Sequence, residues 1–144
     1  MLRGLPADLT RRAVAVHECG HRAAAGALDE RVAGVRIWGE DAEAHGVTRV
    51  DVGTPRTPEE VRRMLLIFLA GHAAEDRWLE EHRLEGRPGQ DDSSDMQRYR
   101  KLLASPRGRA MDDAALRVEV RRLIVASWSE IVRLSAVLDR RGRL

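Results

Sequence analysis

Between Asp8 and Leu28 the residues Leu9, Ala13, Val16, Gly20, Ala24 and Ala27 recur every three or four positions, the repeat of one face of an α-helix. Four of these six are Gly or Ala, so the face is apolar but thin. A helix built this way can bury itself only if another helix comes very close to it. The spacing therefore predicts a central helix to about Leu28, with Asp8 and Thr10 as N-cap candidates.

The rest of the chain has to supply the partners. Aromatic residues are 3% of the 144, so the core must be built from Ala, Val, Leu and Ile, which suits packed helices better than a large sheet. From Arg31 to Val52 the residues Val32, Val35, Ile37, Val47, Thr48 and Val50 favour strands around a polar loop, Gly39 to Gly46. Thr57-Pro58-Glu59-Glu60 then opens a second helix, with Thr57 as cap, Pro58 in the first turn and Glu60 in capping-box position. It is expected to reach about His82, and it is apolar on every side over 64–70. Glu85 to Ser94 reads as a loop, Ser94 to Leu103 as a short helix ended by Ser105-Pro106-Arg107-Gly108. One last helix is expected from Asp112 to Arg140, with Leu116, Val120, Leu123, Ser127, Ile131, Leu134 and Leu138 along its seam. The expected fold is one domain over 1–144, α+β and predominantly helical, its central helix packed with other helices and a small β-sheet.

Charge and cysteine content remove several classes of function. The formal net charge of +2 makes no case for nucleic acid. The longest apolar run, 64–70, is far short of the roughly 20 residues of a membrane span. Met1 to Ala7 lacks a signal peptide's apolar region. Cys19 is the one cysteine, so no internal disulfide can form and a cytoplasmic location is expected.

The central helix also carries His17-Glu18-Cys19-Gly20-His21. Four residues are about 400° of helix, so the two imidazoles project about 40° apart, one turn above the other. They can share one Zn²⁺ at about 2.0–2.1 Å each. Glu18 lies on the flank, placed to reach a water held by the ion as general base. Cys19 points away from that face and reads as a core filler. Catalytic zinc needs a third protein ligand and an open position. A three-histidine extension would need Gly at 24 and His at 27, where Ala24 and Ala27 stand. Candidates left open by the spacing are His45, His72, Glu75, Asp76, Asp91, Asp92 and Asp95.

Four segments in order resemble the peptidase domain of the FtsH family of ATP-dependent zinc metalloproteases. His17-Glu18-Cys19-Gly20-His21 is similar to its HEAGH, and His45-Gly46-Val47-Thr48 to its Leu-Gly-x-Thr stretch. Leu69 to Asp76 resembles LAGRAAEE with His72 in place of Arg, and Ser93-Ser94-Asp95-Met96 resembles the piece carrying the third zinc ligand. The resemblance covers about 8–140. It implies that Asp95 completes a metal set with His17 and His21, one Zn²⁺ per chain. Glu75 is expected behind the ligands, orienting a histidine through its free ring nitrogen. Gly46, Val47 and Thr48 are expected to bind an extended substrate along a strand edge.

The function expected is that of a zinc metalloendopeptidase cleaving peptides or unfolded proteins, with Glu18 catalytic. The alternative is a zinc-containing binding or regulatory module that does not cleave, or a peptidase served by a separate ATPase partner. Family members carry membrane spans and an ATPase module; neither is legible in this sequence. Their ring assembly leans on that module, so an oligomer is allowed but not implied.

Overall fold

A computed structural model describes residues 2–3, 6–84, 87–88 and 94–144. In chain order the elements are β1 (Leu2–Arg3), α1 (Ala7–Ala27), β2 (Arg31–Trp38), a 3₁₀ turn (Asp41–Glu43), β3 (His45–Asp51), α2 (Pro58–Glu81), β4 (Arg87–Pro88), α3 (Ser94–Ala104), α4 (Asp113–Ala126) and α5 (Trp128–Arg141). The fold is predominantly helical α+β, as expected.

Helix α1 is the centre of the packing, touching α2, α4, α5 and both strands of the β2–β3 hairpin. The thin face explains how. A Cβ on Gly20 would lie 2.6 Å from Ala74 Cβ and 2.7 Å from Ala70 O, so α1 and α2 cross where both are smallest. Ala13, Ala15, Val16, Cys19, Ala24 and Ala25 are all buried around that crossing.

The start of α1 differs from expectation. Neither Asp8 nor Thr10 caps it; Pro6 is the N-cap and no side chain bonds the first turn. Pro6 O accepts instead from Leu9 N at 3.0 Å and from the buried Thr10 hydroxyl at 3.4 Å. Thr10 turns its hydroxyl back one turn, as Thr does when a hydrated position is denied to it. At the other end Asp29, at φ 59°, stops the helix, and Glu30 N returns to Ala25 O at 2.8 Å.

Helix α2 begins as its sequence dictates. Thr57 Oγ1 accepts from Glu60 N at 3.1 Å, with Pro58 in the first turn. Glu60 returns its carboxylate to Arg56 N at 2.8 Å, one residue before the cap. Arg83, at φ 52°, ends it, and Leu84 N bonds Leu79 O.

The hairpin is antiparallel, with Val35 opposite Thr48, Ile37 opposite Gly46, and a bulge between Val32 and Gly34. Val35 and Ile37 are buried on the face towards α1. The outer edge of β2 is taken by the chain end: Gly142 O accepts from Ile37 N at 2.9 Å and Val35 O from Leu144 N at 3.0 Å. Among the described residues nothing pairs with the outer edge of β3.

The single C-terminal helix expected over 112–140 is two helices. Ser127, at φ −103° and ψ 7°, interrupts the ladder, and Ile131 N restarts it on Ser127 O. Helix α4 packs on α2 and α1, whereas α5 packs on α1 and β2, and the bend lets one seam follow both. Its buried positions accordingly change from Leu116, Val120 and Ile124 to Ile131, Ser135 and Leu138.

Candidate metal centre

Four elements place the residues of the site. His17, Glu18 and His21 come from the middle of α1, Asp95 from the first turn of α3, Gly71 and Glu75 from α2, and Gly46 and Thr48 from β3. Met96 and Tyr99, both buried, hold α3 against the core and so fix Asp95 over α1.

Three donor atoms meet at one point. Asp95 Oδ2 is 3.1 Å from His17 Nε2 and 3.0 Å from His21 Nε2, and the two Nε2 atoms are 3.0 Å apart. A tetrahedral zinc with bonds of about 2.0–2.1 Å would want its ligands about 3.3 Å apart, so the triangle is close to what the ion needs. Tautomers point the same way. His21 Nδ1 lies 2.6 Å from Ile67 O, which can only accept, so Nδ1 donates and Nε2 of the neutral ring offers a lone pair. His17 turns Nδ1 towards Glu75 Oε1 at 3.6 Å, which leaves its Nε2 for the same point. Two nitrogen lone pairs and a carboxylate oxygen cannot face each other bare. The cluster must take up either a proton or a cation, and its donor set suits zinc.

The electrostatics describe the protonated alternative. Burial disfavours charge on His17, but the Asp95 and Glu75 carboxylates outweigh it and hold its pKa well above the usual 6.5. Burial likewise opposes the charge on Asp95, and the two histidines reverse it, keeping that carboxyl far below the ordinary carboxylate range. His72 packs edge-on against His17, ring centroids 4.9 Å apart. Burial, with the charge on His17 and His21, lowers His72 to about 3, so its ring is neutral.

Glu18 is buried beside this cluster. One of its carboxylate oxygens and one nitrogen from each of His17 and His21 lie within 4.8 Å of one another. Thr48 Oγ1 is 3.3 Å from Glu18 Oε1 and 3.0 Å from Glu18 O.

Glu75 stands behind the His17 ring, 3.6 Å from His17 Nδ1 and 3.9 Å from His72 Nδ1, its buried Oε2 without a hydrogen-bond partner among the described residues. His17, His72 and Glu75 thus form a second close group on the far side of the His17 ring. His45 is exposed at the start of β3, its ring 6.0 Å from Trp38. Asp76 lines a cavity of about 330 Å³ between α2 and α4. Asp91 and Asp92, and the Ser93 of the fourth resembling segment, fall outside the described residues. Cys19 is buried, and desolvation pushes its thiol up to about 12, so it remains protonated filler.

Two contributors were not identified from the sequence. Ile67 O orients His21, and a main-chain carbonyl carries no sequence signal. Gly71 is the other. A Cβ there would lie 2.5 Å from His17 Nε2 and 2.7 Å from His17 Cε1, and closer still to His21 Nε2. Its signal was available: Gly71 interrupts an otherwise unbroken run of helix formers, four residues before Glu75.

No family model matches the chain, and no curated protein matches it in sequence.

Proposed function

We propose that this chain is a zinc-dependent metallopeptidase of the FtsH peptidase kind, acting on peptides or unfolded protein segments. One observation carries the reading: His17 Nε2, His21 Nε2 and Asp95 Oδ2 converge at 3.0–3.1 Å with the Glu18 carboxylate beside them. A purely structural metal would be expected to close its fourth position with protein, and would have no use for a buried base.

In this reading His17, His21 and Asp95 hold one zinc, which supplies a Lewis acid for the scissile carbonyl and makes a neighbouring water acidic. Glu18 takes the proton of the attacking water and returns it to the leaving amine. Glu75, its Oε1 3.6 Å from His17 Nδ1, attracts that side of the ring and keeps Nε2 aimed inward. The substrate lies in extended form along the open edge of β3, over Gly46, Val47 and Thr48, so that main-chain bonds carry its affinity.

Among the described residues no helix is long and apolar enough to cross a membrane. A cytoplasmic location belongs to the same reading and is supported by the free buried thiol of Cys19.

The test pairs elemental analysis with turnover of unfolded casein. Protein purified without added metal should carry one zinc. Glu18→Gln should keep that zinc and lose cleavage by at least about a hundredfold, as general-base variants do. Full cleavage by Glu18→Gln with zinc in place would overturn the mechanism.

A further inference from the structure

We propose that Thr48 is a positioning residue for Glu18, so that strand β3 both receives the substrate and aims the base; the proposal rests on the peptidase reading above. Two independent contacts join β3 to this one residue of α1. Gly46 brings the strand so near that a Cβ on it would sit 2.7 Å from Glu18 Cγ and 3.0 Å from Val14 Cγ1. Two residues on, and therefore on the same face, Thr48 presents its hydroxyl to Glu18.

The hydroxyl has one proton and two acceptors within reach, Glu18 O at 3.0 Å and Glu18 Oε1 at 3.3 Å. A strand that needed only to be fastened to α1 would be served by the main-chain oxygen alone. The second acceptor is the carboxylate that has to act. A hydroxyl proton pointed at Oε1 fixes the carboxylate against β3, and the main-chain oxygen beside it holds the same hydroxyl in place.

The support behind Thr48 is stiff. It stands opposite Val35, which is 2% exposed, and the outer edge of β2 is itself closed by Gly142 and Leu144. The Thr48 side chain faces α1, which leaves the backbone of β3 for the substrate expected along Gly46, Val47 and Thr48.

Thr48→Val keeps the branched shape and removes the hydroxyl; Thr48→Ser keeps the hydroxyl. Crystal structures, zinc content and steady-state cleavage of fluorescently labelled unfolded casein would be compared for wild type and both variants. All three should bind one zinc. In Thr48→Val the Glu18 carboxylate should leave its wild-type position and kcat should fall roughly ten- to hundredfold at unchanged KM, the scale of one hydrogen bond to a charged group. Thr48→Ser should restore the carboxylate position and most of kcat. An unmoved carboxylate or an unchanged kcat in Thr48→Val would overturn the proposal. If Thr48→Val fails to fold, Thr48→Ala is judged by the same two readouts. If wild type binds zinc and cleaves nothing while Thr48→Val still frees the Glu18 carboxylate, the peptidase reading fails and the positioning role stands.

Discussion

Replacing Gly71 with Ala adds one methyl group where α2 faces both histidine rings. The new Cβ would lie 2.5 Å from His17 Nε2 and nearer still to His21 Nε2, where an unstrained contact needs about 3.5 Å. Each ring would therefore have to retreat by about 1 Å. Neither can do so freely, because His21 is tied to Ile67 O at 2.6 Å and both rings spring from a buried helix. A retreat of that size separates donors now 3.0 Å apart, and the cluster can no longer close round one ion. We expect zinc affinity to fall by at least about a hundredfold, more than the usual loss of a supporting partner. Stability of the metal-free fold should change far less. Overpacking costs about 1–3 kcal/mol, and about 1 kcal/mol returns through the better helix propensity of Ala. Competition against a chromophoric chelator measures the affinity, and circular dichroism melting of metal-free protein measures the fold. A folded Gly71→Ala protein that binds zinc as tightly as wild type would refute the argument that this glycine is required by the histidines.

Other consequences can be checked with the same protein. Metal-free His17 carries a proton at neutral pH, since Asp95 and Glu75 outweigh the burial that opposes it; zinc binding at pH 7 should release about one proton, read as buffer-dependent heats in calorimetry. Without metal, the raised His17 gives stability that is full below 6.5 and declines as pH rises from there through its raised folded pKa, and the lowered Asp95 gives stability present above 3.8 that declines as pH falls through its lowered folded pKa. Melting of the metal-free protein should therefore be highest between those values, and a flat profile across them would count against the pair. Glu75→Gln, nearly the same shape without the charge, should fold normally and weaken zinc about ten- to hundredfold by chelator competition. Gly26→Ala meets no atom within 4 Å in the last turn of α1, and should raise stability by up to about 1 kcal/mol in urea unfolding.

The parts of the fold that the sequence announced are those governed by local rules. The thin face of α1 required a close helix neighbour, and Ala70 and Ala74 of α2 are that neighbour. Thr57 and Pro58 marked the start of α2 because a cap and a fixed φ act within one turn. The β-prone residues over Val32–Ile37 and Val47–Val50 announced the hairpin, since such side chains suit a pleated, half-buried surface. What escaped was set at long range. Ser127 is no helix breaker by composition; the bend there exists because α4 and α5 answer to different partners. Asp8 and Thr10 both have capping chemistry, yet the chain enters the helix at Pro6, and propensity could not choose among the three. The site divides similarly. His17, Glu18 and His21 share a helix and were legible from spacing, whereas Asp95 was one of seven candidates until the resemblance singled it out, because α3 is brought to α1 by tertiary packing. The Thr48 contact to Glu18 depends on a strand–helix approach that no pattern in either segment records.

The closure of β2 by the chain end has a further consequence. With Gly142 and Leu144 occupying one side of the hairpin, only the β3 side can accept another strand. Main-chain donors and acceptors are the same for every residue except proline, so such an edge distinguishes poorly between sequences. It discriminates sharply by conformation, because a segment already paired in a sheet or wound into a helix has no bonds to offer. A peptidase built on this edge would judge whether a chain is folded and remain largely indifferent to which chain it is.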